Sequence, residues 1–202
     1  LKKIFQNFTN YKNYFKDPDN ALWNEVKDKI LEFKPEWVGY TSYTANISAI
    51  KIISEKVRAA NPDIRQVVGG VHATLDKNLL NTLTCVDYSI QREGEEAFTA
   101  LVENKDPAKI PGVISRGKKF LINTGIAPVI ENIDNLPLPE KKKFWGIPQS
   151  EHKDIDVSYI CTIRGCPYKC TYCASPFHWD RRTTRLRSPE SVIEEMKILK
   201  NE

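Results

Sequence analysis

Three cysteines crowd one short stretch, RGCPYKCTYCAS: Cys166, Cys170 and Cys173 follow the spacing C-x3-C-x2-C. Thiolates are soft donors and suit zinc or iron–sulfur clusters. A structural zinc site takes four ligands in a closed tetrahedron, usually as two separated pairs. No second pair follows here. Cys161 and His178 are the candidates for a fourth zinc ligand, although Cys161 lies in a strand pattern whose pleat fixes its side-chain direction. Three thiolates on one tight loop instead suit three irons of a [4Fe–4S] cube, which leaves the fourth iron without a protein ligand. By the logic that separates catalytic from structural metal sites, such an open position receives a substrate or cofactor. The pattern predicts a catalytic cluster. A non-catalytic module carrying zinc or a cluster is the alternative.

A second motif is VVGGVHAT. Gly69 and Gly70 follow a buried strand and precede a helix start, which lets backbone approach a bulky ligand closely. The plainer reading is a strand-end turn. His72 within it is read as a hydrogen-bonding loop residue rather than a metal ligand. His152, between Glu151 and Lys153, is read as solvated, and Cys85 as a small buried filler. The acids of REGE, Arg92 to Glu95, suit the first turn of a helix. Arg181, Arg182, Arg185 and Arg187 suit phosphate or nucleic acid, but the expectation is that they line a surface or pair with acids.

The elements that must position these residues follow from periodicity. Leu22, Val26, Ile30 and Phe33 form one helical stripe over 21–33, and Ile50, Ile53, Val57 and Ala60 another over 46–60. Short apolar runs at 37–41, in RQVVGG and in VDYSI read as strands. Further helices are predicted over 76–84 and in EGEEAFTALVE, the latter with Phe98, Leu101 and Val102 inward. Alternating strands and helices predict a doubly wound parallel sheet. Residues 113–122 read as a hairpin turning at Arg116-Gly117-Lys118. A proline-punctuated, basic stretch over 128–155 reads as a linker. DVSYICTI then reads as a strand leading into the cysteine loop. Ser188-Pro189-Glu190 opens a final helix, with Ser188 as its N-cap and Val192, Met196 and Leu199 on one face.

Composition narrows the class. Of 202 residues 41% are hydrophobic, enough for a packed core and against disorder. A net charge of +4 is too mild to imply nucleic acid. No run of 18 apolar residues occurs, so no membrane partner is expected. Five clustered or isolated cysteines, an odd number, point to a reducing cytoplasm rather than a disulfide framework. The chain opens on Leu1 rather than Met and closes at Glu202 inside a helical pattern, so it reads as a piece of a longer protein.

C-x3-C-x2-C with Tyr172 just before the last cysteine, in a loop after a strand, resembles the signature of the radical S-adenosylmethionine enzymes. RLRSPESVIEEMKIL resembles the second strand-to-helix entry of that superfamily's barrel. KPEWVGYTSYTANISA, NPDIRQVVGGVHAT and VDYSIQREGEEAF, in that order, resemble the cobalamin-binding domain that precedes many radical domains. The resemblance covers about residues 30–105 and 156–200.

It implies a domain order: 1–20 unassigned, aromatic and basic; 21–127 a Rossmann-like cobalamin-binding domain with its hairpin; 128–155 the linker; 156–202 the first β/α units of a partial barrel. It implies that Cys166, Cys170 and Cys173 hold the [4Fe–4S] cluster, with S-adenosylmethionine on the fourth iron and Tyr172 near its adenine. The reduced cluster would then generate a 5′-deoxyadenosyl radical. It implies cobalamin contacts at Thr41, Ser42, Thr44, Gly69 and Gly70. No Asp-x-His occurs, so a histidine on cobalt is not implied. The expected reaction is methyl transfer to an unactivated carbon. Rearrangement, cyclisation or methylthiolation without a corrinoid is the alternative. Expected partners are a small-molecule or peptide substrate and a reductant such as flavodoxin or ferredoxin; a nucleic acid is not expected. The superfamily's later glycine-rich segment would lie beyond Glu202, so the 202 residues alone are not expected to complete the active site.

Overall fold

The computed structural model describes residues 13–139, 159–168, 170–173, 175 and 184–201. His152, His178, Arg181, Arg182, most of the N-terminal segment and the linker beyond residue 139 lie outside them. The chain forms two compact units, Leu1–Pro128 and Val129–Glu202.

In the first unit, helix α1 (Ala21–Glu32) begins where the Asn20 side chain accepts the Leu22 N–H at 3.1 Å. Strand β1 (Trp37–Thr41), helix α2 (Ile47–Ala60) and strand β2 (Arg65–Gly69) follow. Two short helices, α3 (Val71–Leu75) and α4 (Leu79–Thr82), lead to strand β3 (Tyr88–Ile90) and helix α5 (Glu95–Val102). Strands β4 (Val113–Arg116) and β5 (Leu121–Asn123) complete a sheet of order β1-β2-β3-β4-β5. The first three strands are parallel, as predicted, while β4 and β5 add an antiparallel hairpin edge.

Strand alternation divides the core between two faces. On one, Val38 packs with Trp23, Ile52, Ile53 and Val57, and Val68 with Leu79, Leu80 and Leu83. On the other, Val67 and Ile90 meet Ala97 and Leu101. Each buried Val, Leu or Ile among these stabilises the fold by roughly 1.5–3 kcal/mol. The buried Gln66 needs partners and finds them: its amide donates to the carbonyls of Ser54 and Cys85, each at 3.1 Å. Its carbonyl accepts the Tyr40 hydroxyl at 2.6 Å. Burial there pushes the Tyr40 phenol well above its ordinary value. Cys85 is half-buried rather than fully enclosed, and its thiol is free.

Two helical expectations change. The predicted helix over 76–84 starts earlier, directly after Gly70, and breaks at Asp76, whose carboxylate accepts the Asn78 N–H at 2.9 Å in a turn that competes with helix. In α5 the buried positions are Ala97 and Leu101, four apart, while Phe98 and Val102 are 37% and 44% exposed. Phe98 still lies edge-on against Trp37, with ring centroids 5.8 Å apart.

The second unit holds a 3-10 turn (Ile133–Asn135), strands β6 (Ile163–Arg164) and β7 (Arg185–Leu186), and helix α6 (Pro189–Asn201). The first part of the expected linker, 129–136, is thus built into this unit. Ser188 caps α6, its hydroxyl accepting the Ser191 N–H at 3.1 Å. Among the described residues the strand predicted over DVSYICTI is reduced to β6. β7 was expected as the entry of a second barrel unit; it pairs antiparallel with β6, Ile163 opposite Leu186 and Arg164 opposite Arg185. The two strands thereby close the ends of the cysteine loop on each other. Met196, expected to share a face with Val192 and Leu199, is 55% exposed, and Glu195 beside it is buried. Among the described residues no helix is long and apolar enough to cross a membrane.

Candidate functional site

The carboxyl ends of β1, β2 and β3 open into a cleft of about 440 Å³, lined by Gly39, Thr41, Gly69, Gly70, Arg92 and Phe98 among others. Ligands bind at this edge in open α/β sheets, because loops there diverge and backbone N–H groups face outward. Gly70 makes the cleft floor possible. Its φ of 95° and ψ of −171° belong to a region that only glycine occupies readily. A Cβ at this position would stand 3.0 Å from both the amide nitrogen and the carbonyl oxygen of Ser42.

Three loops are laced together beneath that floor. Ser42, fully buried, donates both its N–H and its hydroxyl to the Gly69 carbonyl, each at 2.7 Å. The same hydroxyl accepts the Ala73 N–H at 3.0 Å. Thr74 donates its hydroxyl to the Gly70 carbonyl at 3.1 Å and accepts the Arg92 N–H at 2.8 Å. Arg92 takes a left-handed φ of 62° to reach it. Thr44, exposed, meets Nδ1 of His72 at 2.9 Å, and Nε2 of His72 lies 3.9 Å from the Asp76 carboxylate.

Of the residues predicted to touch a corrinoid, Thr41, Gly69 and Gly70 line the cleft, Thr44 sits in the turn beside it, and Ser42 is interior. Ser42 therefore shapes the floor through Gly69 and Ala73. His72 has the hydrogen-bonding place expected of it. Thr74 and the left-handed Arg92 went unassigned in the sequence; the only signal for Thr74 was its place four residues after Gly70, one helical turn on. The cleft falls within the range of small-molecule sites, about 300–1,000 Å³. A glycine floor, with backbone exposed where a side chain would intrude, fits close approach by part of a bulky corrinoid.

A second cleft, of about 350 Å³, lies at the other end of the strands beside Asp87, Asp106 and Arg116. Its principal charges are committed to the fold. Asp87 accepts from Arg58 at 2.6 Å and from the Gln66 N–H at 2.7 Å. The Arg116 guanidinium donates to the carbonyls of Val86, Leu80 and Leu83.

In the second unit, residues 165–184 run from β6 to β7. Cys166 and Cys173 are half-buried, Cys170 is exposed, and none is in a disulfide. The Cys173 N–H donates to the Cys170 carbonyl at 3.2 Å, closing a turn between them. The Ser175 N–H points at the Cys173 sulfur, 3.4 Å away. Tyr172 is 91% exposed. Cys161 turns its thiol onto the Ile163 carbonyl at 3.3 Å. Among the described residues no three His, Cys, Asp or Glu side chains stand as a preformed ion cage. The chemistry of the set nevertheless suits an iron–sulfur cluster: three free thiols on one loop, with the donor spacing the sequence prescribes. Of the arginines read from sequence as surface or acid-pairing groups, Arg187 does pair with an acid, while Arg185 is buried. Arg185 donates to the Ile130 carbonyl at 2.5 Å, and Arg187 pairs with Glu195.

Comparison with known proteins agrees with both halves. The B12 binding domain family matches residues 11–102, and the Radical SAM superfamily matches residues 160–202. An uncharacterized methyltransferase of Pyrococcus horikoshii is 28% identical over 188 residues, covering 90% of this chain and 40% of its own length. The anaerobic magnesium-protoporphyrin IX monomethyl ester cyclase of Rubrivivax gelatinosus is 28% identical over 191 residues, covering 87% and 33%. Among solved structures, the radical S-adenosylmethionine methyltransferase TsrM of Kitasatospora setae, with cobalamin and a [4Fe–4S] cluster bound, superposes with a TM-score of 0.66. It is 20% identical, covering 88% of this chain and 37% of that one. The chain thus spans 40% or less of the length of each of these proteins.

Proposed function

Because the chain belongs to the radical S-adenosylmethionine superfamily, in the branch that carries a B12-binding domain, we propose that it is part of a cytoplasmic enzyme transferring a methyl group to an unactivated carbon. The substrate is a small molecule or peptide, and a flavodoxin- or ferredoxin-type protein supplies the electron. Together the cluster, S-adenosylmethionine and corrinoid, when bound, supply a 5′-deoxyadenosyl radical and a transferable methyl group.

The chain's own residues bind and orient. Cys166, Cys170 and Cys173 would hold a [4Fe–4S] cluster through three thiolates from one loop, with an open position left for S-adenosylmethionine. Tyr172, exposed beside Cys173, would meet the adenine. Gly69 and Gly70 give the corrinoid a floor without side chains, Thr41 and Thr44 offer hydroxyls at its edge, and Ser42 holds that floor from below. The reading rests on one observation above all: a single chain carries both a glycine-floored cleft at a parallel sheet's carboxyl edge and a loop of three free thiols. The P. horikoshii and TsrM methyltransferases support methyl transfer. The match to the cyclase of R. gelatinosus supports ring closure as a second reading.

The test is anaerobic reconstitution with iron, sulfide and hydroxocobalamin. The expected product carries about four irons per chain, a corrinoid absorbance that survives gel filtration, and an electron paramagnetic resonance signal that changes on adding S-adenosylmethionine. Cys170→Ala should abolish that response. A colourless protein holding one zinc through four donors would refute the proposal. Transfer of labelled methyl from S-adenosylmethionine to substrate by the whole protein separates methylation from ring closure.

A further inference from the structure

We propose that Arg187 is the positioning residue of the cysteine loop, tying both of its ends to helix α6 through one guanidinium. The inference rests on the reading that the loop holds the cluster. Among the described residues the loop's only ladder is the two-residue pairing of β6 with β7. Such a ribbon is marginal in water unless something packs against it. Arg187 supplies the reinforcement from several directions. Its backbone N–H donates to the Thr162 carbonyl at 3.0 Å, extending the ladder by one bond. Its Nη1 donates to the Cys161 carbonyl at 3.2 Å, on the strand entering the loop. Its Nη2 donates to the Ser191 carbonyl at 3.0 Å and the Ser191 hydroxyl at 2.9 Å, on the first turns of α6. Nη1 also pairs with the Glu195 carboxylate, one turn further along α6.

The Arg187 and Glu195 side chains are only 9% and 4% exposed, so this pair is shielded from screening by water and salt. The helix end receiving these bonds is itself anchored. Both oxygens of the Asp134 carboxylate accept the Ser188 N–H, at 3.2 and 3.0 Å, fastening α6 to the 3-10 turn upstream. A planar fork of five donors can serve a carbonyl, a hydroxyl and a carboxylate at once; a lysine ammonium offers a point charge and cannot span them. The three cysteines thus hang from a base whose spacing is set by Arg187.

Groups that orient metal ligands typically change metal affinity 10–100-fold when removed. Acting through the backbone, Arg187→Ala should speed loss of iron to a chelator by about tenfold. It should also weaken the change that S-adenosylmethionine produces in the cluster's resonance spectrum. Arg187→Lys should fall between Ala and wild type, with the spectrum only partly restored. Glu195→Gln, which keeps the shape and an acceptor, should produce a smaller acceleration and serves if Arg187→Ala does not fold. Circular dichroism and corrinoid absorbance should match wild type in each variant. Iron release and spectra within twofold of wild type in folded Arg187→Ala, or in Glu195→Gln where Ala fails to fold, would overturn the inference. A Cys170→Ala chain retaining the full S-adenosylmethionine-responsive signal would instead overturn the underlying reading, whatever Arg187 did.

Discussion

The two units build their sites by different means. In the first, the cleft is a consequence of packing: two apolar faces fix the strands, and one glycine in a conformation closed to other residues fixes the floor. In the second, the loop leaves a two-residue ladder, and its base is held by an arginine, two serines and two acids. A site made by packing exists at full precision before any ligand arrives. A site made by donors on a braced loop acquires its final shape together with what the thiols grip, as metal binding couples to local order. The first should therefore fail through volume and backbone conformation, the second through lost donors and braces.

Gly70→Val tests that contrast most sharply. A β-branched residue at φ 95°, with a Cβ only 3.0 Å from the Ser42 backbone, combines strain with collision. The expected loss of stability is about 3 kcal/mol, read as a fall in the melting midpoint, with corrinoid binding abolished. Iron and sulfide content should remain at wild-type level. If cluster content fell in parallel, the two sites would share a cooperative unit and the contrast would break.

Ser42→Ala is a gentler probe of the same floor. The Gly69 carbonyl keeps the Ser42 N–H, but the buried Ala73 N–H loses its acceptor. An orphaned buried donor costs about 1–3 kcal/mol. Corrinoid affinity should weaken without vanishing, because the glycines still line the cleft. Unchanged stability and affinity would mean that the loops hold themselves apart without this strap.

The contrast also explains what sequence could reveal. Cys166, Cys170 and Cys173 stood out as a candidate donor set because all three lie within eight residues of one loop. Gly69 and Gly70 were legible for the same reason, and the strand–helix alternation gave the element order. What stayed hidden was long-range. Asp134 and Ser188 meet across 54 positions, so nothing local marks them as partners. Ser42 looked like a ligand contact by its place at a strand end, yet pairing of β1 with β2 turned it inward onto Gly69. The stripe of α5 was misread by one position because Phe98 and Val102 outweigh Ala97 in apolarity, while the sheet had room only for alanine and leucine. The antiparallel return of β7 was hidden because Arg185-Leu186 carries no sign of its partner's direction.

The smallest expected effect concerns one brace, and pH can isolate it. Hydrogen bonds from the Ser188 backbone and side chain, with Arg187 nearby, hold the Asp134 carboxyl below its ordinary value of 3.8. A carboxylate held low in the fold stabilises it at every pH above that ordinary value, and the contribution is lost as pH falls through the lowered one. Asp134 lies near water, so the effect on global stability should be slight; the local signal is the better measure. The Ser188 amide resonance should stay constant from neutral pH down to about pH 4, where an unperturbed aspartate is near half-protonated. It should begin to move only below that. In Asp134→Asn the resonance should shift at neutral pH and show no titration of its own. A midpoint at or above 3.8 in the wild-type chain would mean that Asp134 does not fasten α6, and that the loop's base rests on Arg187 alone.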